Sequence, residues 1–182
     1  MDTQIKYYLT LFLGLFVIGF GLNAQSGWQT FTDVGTGVSF SMPPNVIAAD
    51  TLLTRLYASE VDSTEAVQVH IFDDARFDTS DELFNEALTL ENGDTLRVIA
   101  RLILLLTDGE LTALDEVYTN GIRGMELGTR YMLIDNDVYY YSFMRYYLVN
   151  GKFISFTWTG GEEAALRRGI TAKELFFDSV QF

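Results

Sequence analysis

Between Tyr131 and Thr159 the chain is dense in aromatic and aliphatic residues, and two polar pairs, Asn136-Asp137 and Asn150-Gly151, divide it into three candidate strands. Asn-Gly is the strongest short hairpin signal, because both central residues of a type I′ turn need positive φ and these two residues tolerate it. A two-residue turn there predicts Val149 opposite Lys152, Tyr147 opposite Ile154, Arg145 opposite Phe156 and Phe143 opposite Trp158. The same rule at Asn136-Asp137 sets Ile134 opposite Tyr139 and Met132 opposite Tyr141. Side chains alternate faces with period two. One face then holds Tyr139, Tyr141, Phe143, Tyr147, Ile154, Phe156 and Trp158, and the other holds Tyr131, Tyr140, Met144, Tyr146, Leu148 and Phe153 among Ser142, Ser155, Thr157 and Thr159. A sheet with one wet side would alternate cleanly between apolar and polar, so this one is expected to be covered, at least in part, on both faces.

Upstream, Trp28 to Phe31 and Val38 to Met42 read as a hairpin around Gly35-Thr36-Gly37, ended by Pro43-Pro44, since proline cannot donate to a ladder. Thr54 to Glu60 and Ala66 to Phe72 read as a second hairpin, with Val67, Val69 and Ile71 facing the core and Gln68 and His70 facing away. From Thr79 or Ser80 the pattern turns helical, with Leu83, Phe84, Ala87, Leu88 and Leu90 on a 3.6-residue stripe. Asn92-Gly93-Asp94 either caps that helix or is tolerated within it. Leu96 to Leu106 reads as helix, with a buried strand as the alternative, because Leu102 to Leu106 is apolar all round. Leu111 to Tyr118 and Gly124 to Tyr131 form strands around Asn120-Gly121. After Gly160-Gly161 a last helix is expected to place Ala165, Leu166, Gly169, Ile170, Lys173, Phe176 and Phe177 on one broad face.

Two segments carry a resemblance. A Trp, a Phe soon after and then Gly37-Val-Ser-Phe-Ser-Met-Pro43 resembles the opening of PsbP-like and DcrB-type domains, which share a fold with the yeast Ran-binding nuclear-import protein. The ending Phe176-Phe-Asp-Ser-Val-Gln-Phe182 is similar to their close. The resemblance spans about residues 28 to 182. It implies an α+β fold with a central twisted antiparallel sheet and helices on both faces, an α/β/α sandwich. It brings no shared catalytic motif, and it implies a binding or assembly role only as a class.

The N-terminus adds a compartment. Tyr8 to Leu22 is uncharged and apolar behind Lys6, with Ala24 as the expected last residue removed, so residues 1–24 read as a secretory signal and 25–182 as one domain. The alternative is an uncleaved anchor, which would normally need roughly 20 apolar residues; only in that case does the chain touch membrane, through this segment. A periplasmic or secreted location follows. With no cysteine, disulfides, thiolate catalysis and Cys-ligated metals are excluded. Twelve Lys plus Arg against 25 Asp plus Glu, a net charge of −13, repels phosphate backbones, so nucleic acid is not an expected partner.

Candidate chemistry is sparse. His70 is the sole histidine, is expected to be partly exposed, and has no Gly-x-Ser-x-Gly elbow to serve. Asp73, Asp74 and Asp78 form part of an acidic loop, a weak cation candidate whose spacing departs from calcium-loop patterns. Gly121, Gly124 and Gly128 read as close backbone approaches rather than a nucleotide loop. Arg130 and Arg145 fall on the most aromatic face, either stacked on rings or presenting a fork to an anion. With Tyr131, Tyr140, Tyr146 and Trp158 they form the candidate binding set. No cofactor is expected. The leading functional expectation is a non-enzymatic exported domain acting through a protein partner. The alternative is a carrier of a small apolar or anionic ligand between sheet and helix, and a hydrolase ranks third.

Overall fold

The computed structural model describes residues 27–51, 54–73, 82–107, 109–133, 138–167 and 171–182, without the side chains of 82–84, 106 and 133. The signal-segment reading and the helix-start residues Thr79 and Ser80 lie outside this set. Strands β1 (Gln29–Thr32) and β2 (Ser39–Met42) pair as a separate hairpin. The other strands are β3 (Ile47–Asp50), β4 (Thr54–Glu60), β5 (Glu65–Phe72), β6 (Glu110–Thr119), β7 (Ile122–Leu133), β8 (Val138–Val149) and β9 (Lys152–Gly161). They form a seven-stranded antiparallel sheet in the order β3-β4-β5-β9-β8-β7-β6. The helices are α1 (Glu82–Leu90), α2 (Thr95–Thr107), α3 (Glu162–Ala165) and α4 (Ala172–Asp178). β3 escaped the sequence reading because four residues reading Ile-Ala-Ala-Asp, all exposed, carry no alternation.

The register at Asn150-Gly151 is as expected throughout, from Val149 opposite Lys152 to Phe143 opposite Trp158. Asn150 (φ 51°) with Gly151 (φ 74°), and Asn120 (φ 49°) with Gly121 (φ 81°), take the positive-φ geometry that a tight hairpin requires. At Asn136-Asp137 the expectation fails: Met132 faces Tyr139 rather than Tyr141, and Leu133 faces Val138. Residues 134–137, Ile134 included, lie outside the described set, and the pairing beside them is shifted by two positions from that of a two-residue turn. Asp is a poorer second residue for such a turn than Gly. A shift by two preserves parity, so every face assignment survives.

Alternate residues of the sheet feed two cores. On one face Val67, Val69, Ile71, Tyr147, Ile154, Phe156 and Trp158 pack with Phe40 and Met42 of β2 and with Phe176 and Phe177 of α4. On the other, Met125, Leu127, Met144 and Tyr146 pack with Leu96, Ile99 and Ala100 of α2. Residues 96 to 106 are therefore helical. The preceding turn acts as a cap: Gly93 (φ 81°) donates its N–H to Leu88 O at 2.8 Å, and Asp94 Oδ1 accepts the Leu96 N–H at 3.1 Å to start α2.

The single last helix is a further correction, because the segment splits into α3 and α4. Thr171 is extended (φ −99°, ψ 167°) and forms a reciprocal capping box with Glu174, which starts a new helix instead of continuing the old one. The signal was present as Thr171-Ala-Lys-Glu174. Leu166, assigned to the buried face, is 68% exposed as a result. The sheet edges are guarded: β3 is short, while β6 carries Glu110, Asp115 and Glu116 and a bulge between Leu111 and Ala113.

Candidate functional site

The β7–β8 hairpin runs past its neighbours. β9 ends with Gly161 opposite Tyr140, and β6 begins with Glu110 opposite Arg130, so Tyr131 to Leu133 and Val138 to Tyr139 project as a two-stranded tip. Met132, Val138 and Tyr139 are exposed there by 40% or more. A free two-stranded ribbon is marginal in water, and local stacking braces this one. Tyr131 and Tyr140 stack with centroids 6.1 Å apart. The Arg130 guanidinium lies 4.7 Å above the Tyr139 ring and is ion-paired with Glu110. Burial, and then the neighbouring Tyr140, push the Tyr131 phenol up to about 12.

The other expected site residues are committed elsewhere. Arg145 donates from Nε to Glu126 Oε2 at 2.6 Å and lies 4.6 Å above the Phe177 ring. It pins α4 to the sheet, and its carboxylate partner is internal. Tyr146 is fully buried, donating its hydroxyl to Leu96 O at 2.7 Å. Trp158 is 1% exposed, and its Nε1 donates to Glu65 Oε2 at 3.0 Å, while Arg167 reaches the other oxygen of Glu65 at 3.1 Å. Tyr146 and Trp158 are thus core residues, out of reach of a partner at the surface. Of the candidate surface set, the structure stacks Tyr131 on Tyr140, places Arg130 on the opposite face of the tip over Tyr139, and leaves the rest apart.

Asp73 is held by Arg55 and by Lys152 Nζ at 2.8 Å, whose hydrogen bonds keep its carboxyl below the ordinary range. Asp74 and Asp78 lie outside the described residues. Among the described residues no group of three or more His, Asp or Glu is placed to hold a metal. Arg55 also clamps Asp33 (Nε to Oδ2 2.6 Å, Nη2 to Oδ1 3.2 Å), which the sequence reading missed because the partners are 22 positions apart. This network ties the β1–β2 hairpin to the sheet.

His70 is 1% exposed, not partly exposed as expected. Its row across the sheet reads Met125, Tyr146, Ser155, His70, Leu56, and the next reads Leu127, Met144, Thr157, Gln68, Ala58. This is the face that also carries Met125 and Tyr146, so the side of β5 expected to face away from the core is buried at His70. Burial holds the imidazole neutral, with its pKa down to about 4. Its Nε2 lies 3.3 Å from Gln68 Oε1. Close approaches are present at two of the three expected glycines: a Cβ at Gly124 would fall 2.5 Å from the Tyr147 ring, and one at Gly128 would fall 2.9 Å from Phe143, whereas Gly121 has nothing within 4 Å and serves the turn through its positive φ.

No protein-family model matches the chain, and no curated protein matches it. Among solved structures it is similar to cyanobacterial PsbP (CyanoP) from Synechocystis sp. PCC 6803, at 18% identity over 81% of this chain and 88% of that one, with a TM-score of 0.52. The fold is PsbP-like. Weaker likenesses are to a Bacteroides thetaiotaomicron protein (12% identity, 84% of this chain, 47% of that one, TM-score 0.46) and to PA94, a protein of unknown function from Pseudomonas aeruginosa (10%, 82% and 87%, 0.37). The PsbP-like chain is thus an α+β domain dominated by antiparallel sheet. The connection to the Ran-binding protein stays an expectation of the sequence. Among the described residues no helix is long and apolar enough to cross a membrane.

Proposed function

We propose that this is an exported, non-enzymatic accessory domain, periplasmic or secreted, that engages a protein partner through the projecting tip of β7 and β8. The observation that carries this reading is the exposure of Met132, Val138 and Tyr139 on strands that outrun both neighbours. Aromatic, Met and Arg side chains are the types enriched where proteins meet. The rest of the chemistry supports a scaffold: Arg55, Arg123, Arg145 and Arg167 each meet a carboxylate of this chain. The two cores, one holding Phe176 and Phe177 and the other Leu96 and Ile99, support reading the whole as an α/β/α sandwich with helices on both faces.

The test is a photo-crosslinking residue at Tyr139, with one at Ser63 in the exposed β4–β5 turn as control, in cells of the native host. A discrete adduct from position 139 that disappears with Arg130→Glu is the expected result. Equal labelling from both positions, or none, overturns the proposal.

A second reading, carriage of a small ligand between sheet and helix, is favoured by one observation. Two buried hydroxyls of β9, Ser155 Oγ and Thr157 Oγ1, have no hydrogen-bond partner.

A further inference from the structure

β6 is the outer strand of the sheet: it pairs with β7 on one side, and among the described residues nothing pairs with its other side. Thr119 and Ile122 flank the two-residue Asn120-Gly121 turn, so they exchange both backbone hydrogen bonds, and every second residue along the ladder repeats the pattern. Val117, Asp115 and Ala113 therefore direct their N–H and C=O groups to Gly124, Glu126 and Gly128. Leu114, Glu116 and Tyr118 direct theirs outward. The bulge that interrupts one-to-one pairing lies between Leu111 and Ala113. From Ala113 to Thr119 the edge is regular, and Asp115, Glu116 and Tyr118 are exposed along it.

Charge says which strand this edge suits. The charged residues of β6 are Glu110, Asp115 and Glu116, with no Lys or Arg among them. The cations that meet Glu110 and Glu116 stand one strand behind, Arg130 and Arg123 on β7. Arg145 of β8 is held by Glu126, the residue opposite Asp115. Among the described residues Asp115 itself meets no cation. A strand added about 4.8 Å further out therefore meets carboxylates first. A second copy of this chain is a poor occupant. Antiparallel pairing of β6 with itself through the outward groups, centred on the strand, sets Asp115 opposite Asp115 or Glu116 opposite Glu116, and like charges directly opposite destabilise a sheet. The carboxylates that guard the edge against self-association leave it open to a cationic strand.

We propose that the Ala113-to-Thr119 edge of β6 accepts an extended segment of a basic protein partner as an added strand, with a Lys or Arg opposite Asp115 and β-branched residues beside Ala113 and Val117. Main-chain bonds to Leu114, Glu116 and Tyr118 give affinity, and the side chains give choice. This surface is separate from the tip of β7 and β8, which lies at the other end of β7. The experiment titrates 15N-labelled protein with the end-capped peptide Thr-Val-Thr-Lys-Thr-Val-Thr, and with the same peptide carrying Glu in place of Lys, at low salt and at about 0.15 M salt. With the Lys peptide, amide shifts and slowed exchange centred on Leu114, Glu116 and Tyr118 are expected. The Glu peptide should bind about fivefold more weakly, a gap that narrows with salt. Asp115→Asn should narrow the gap at low salt without lowering the melting temperature. Tyr118→Pro removes one outward N–H and spares the bonds to β7, and should abolish binding. Equal binding of the two peptides, or a gap that Asp115→Asn leaves unchanged, overturns the basic partner. Shifts centred on Met132 and Tyr139 overturn the seat, and no shifts with either peptide overturn strand addition. A concentration-dependent dimer that Tyr118→Pro dissociates makes the occupant a second copy and overturns the proposal.

Discussion

Charging His70 should weaken the fold as pH falls from about 6.5 toward 4. The chain has one histidine, so every imidazole signal belongs to it. It is 1% exposed between Leu56 and Ser155 in the sheet, and burial lowers its pKa from 6.5 to about 4. At about 1.36 kcal/mol per unit, that difference corresponds to roughly 3 kcal/mol. The unfolded chain takes up the proton from about pH 6.5 downward, while the folded chain resists until about pH 4. Between those values the unfolded state binds more protons, so stability falls as pH falls and is unaffected above pH 6.5. Urea unfolding of the wild type and of His70→Gln from pH 7.5 to 4.5 isolates the contribution, since carboxylates titrate alike in both. The difference between the two should move by about 2–3 kcal/mol over that range. In the NMR spectrum the imidazole should remain neutral at pH 5.5. An imidazole titrating near 6.5, with a flat difference curve, would refute the burial argument.

Three other outcomes follow from the packing. Arg55→Leu leaves Asp33, 2% exposed, without its cation, and should cost about 3 kcal/mol in chemical denaturation; Asp73→Asn, at a carboxylate 31% exposed, should cost about 1 kcal/mol or less. The Asp33 carboxyl, which burial alone would raise, is held low by hydrogen bonds from Arg55 and Thr36. Its contribution is therefore full above about pH 4 and is lost as pH falls through its lower folded value, a loss that Arg55→Leu should remove. Gly124→Ala drives a Cβ to 2.5 Å from the Tyr147 ring and 2.6 Å from the Tyr146 carbonyl oxygen, and should destabilise by about 2 kcal/mol in thermal melts, whereas Gly161→Ala, with nothing within 4 Å, should be close to neutral. Tyr146→Phe removes the 2.7 Å hydrogen bond to Leu96 O and should lose about 1 kcal/mol, read as faster amide exchange in the first turn of α2.

Much of this architecture is local. Asn120-Gly121 and Asn150-Gly151 can be read as tight turns from the residues alone, because positive φ is a property of those two residue types, and period two then assigns every side chain of β8 and β9 to a face. The Thr171-to-Glu174 capping box was equally legible, and overlooking it is what merged α3 with α4. What only the tertiary structure decided is which faces are interior and which groups meet. His70 sits on the polar side of its own strand, and nothing within β5 says that the far face is also covered; burial is a property of layers and not of one strand. Asp33 finds Arg55, and Glu65 finds Trp158 and Arg167, across 22 to 102 positions. Periodicity carries no term for such distant contacts. Tyr146 and Trp158, aromatic residues that suggested a binding platform, were claimed by the core for the same reason, while the exposed tip depends on strand lengths that only pairing reveals.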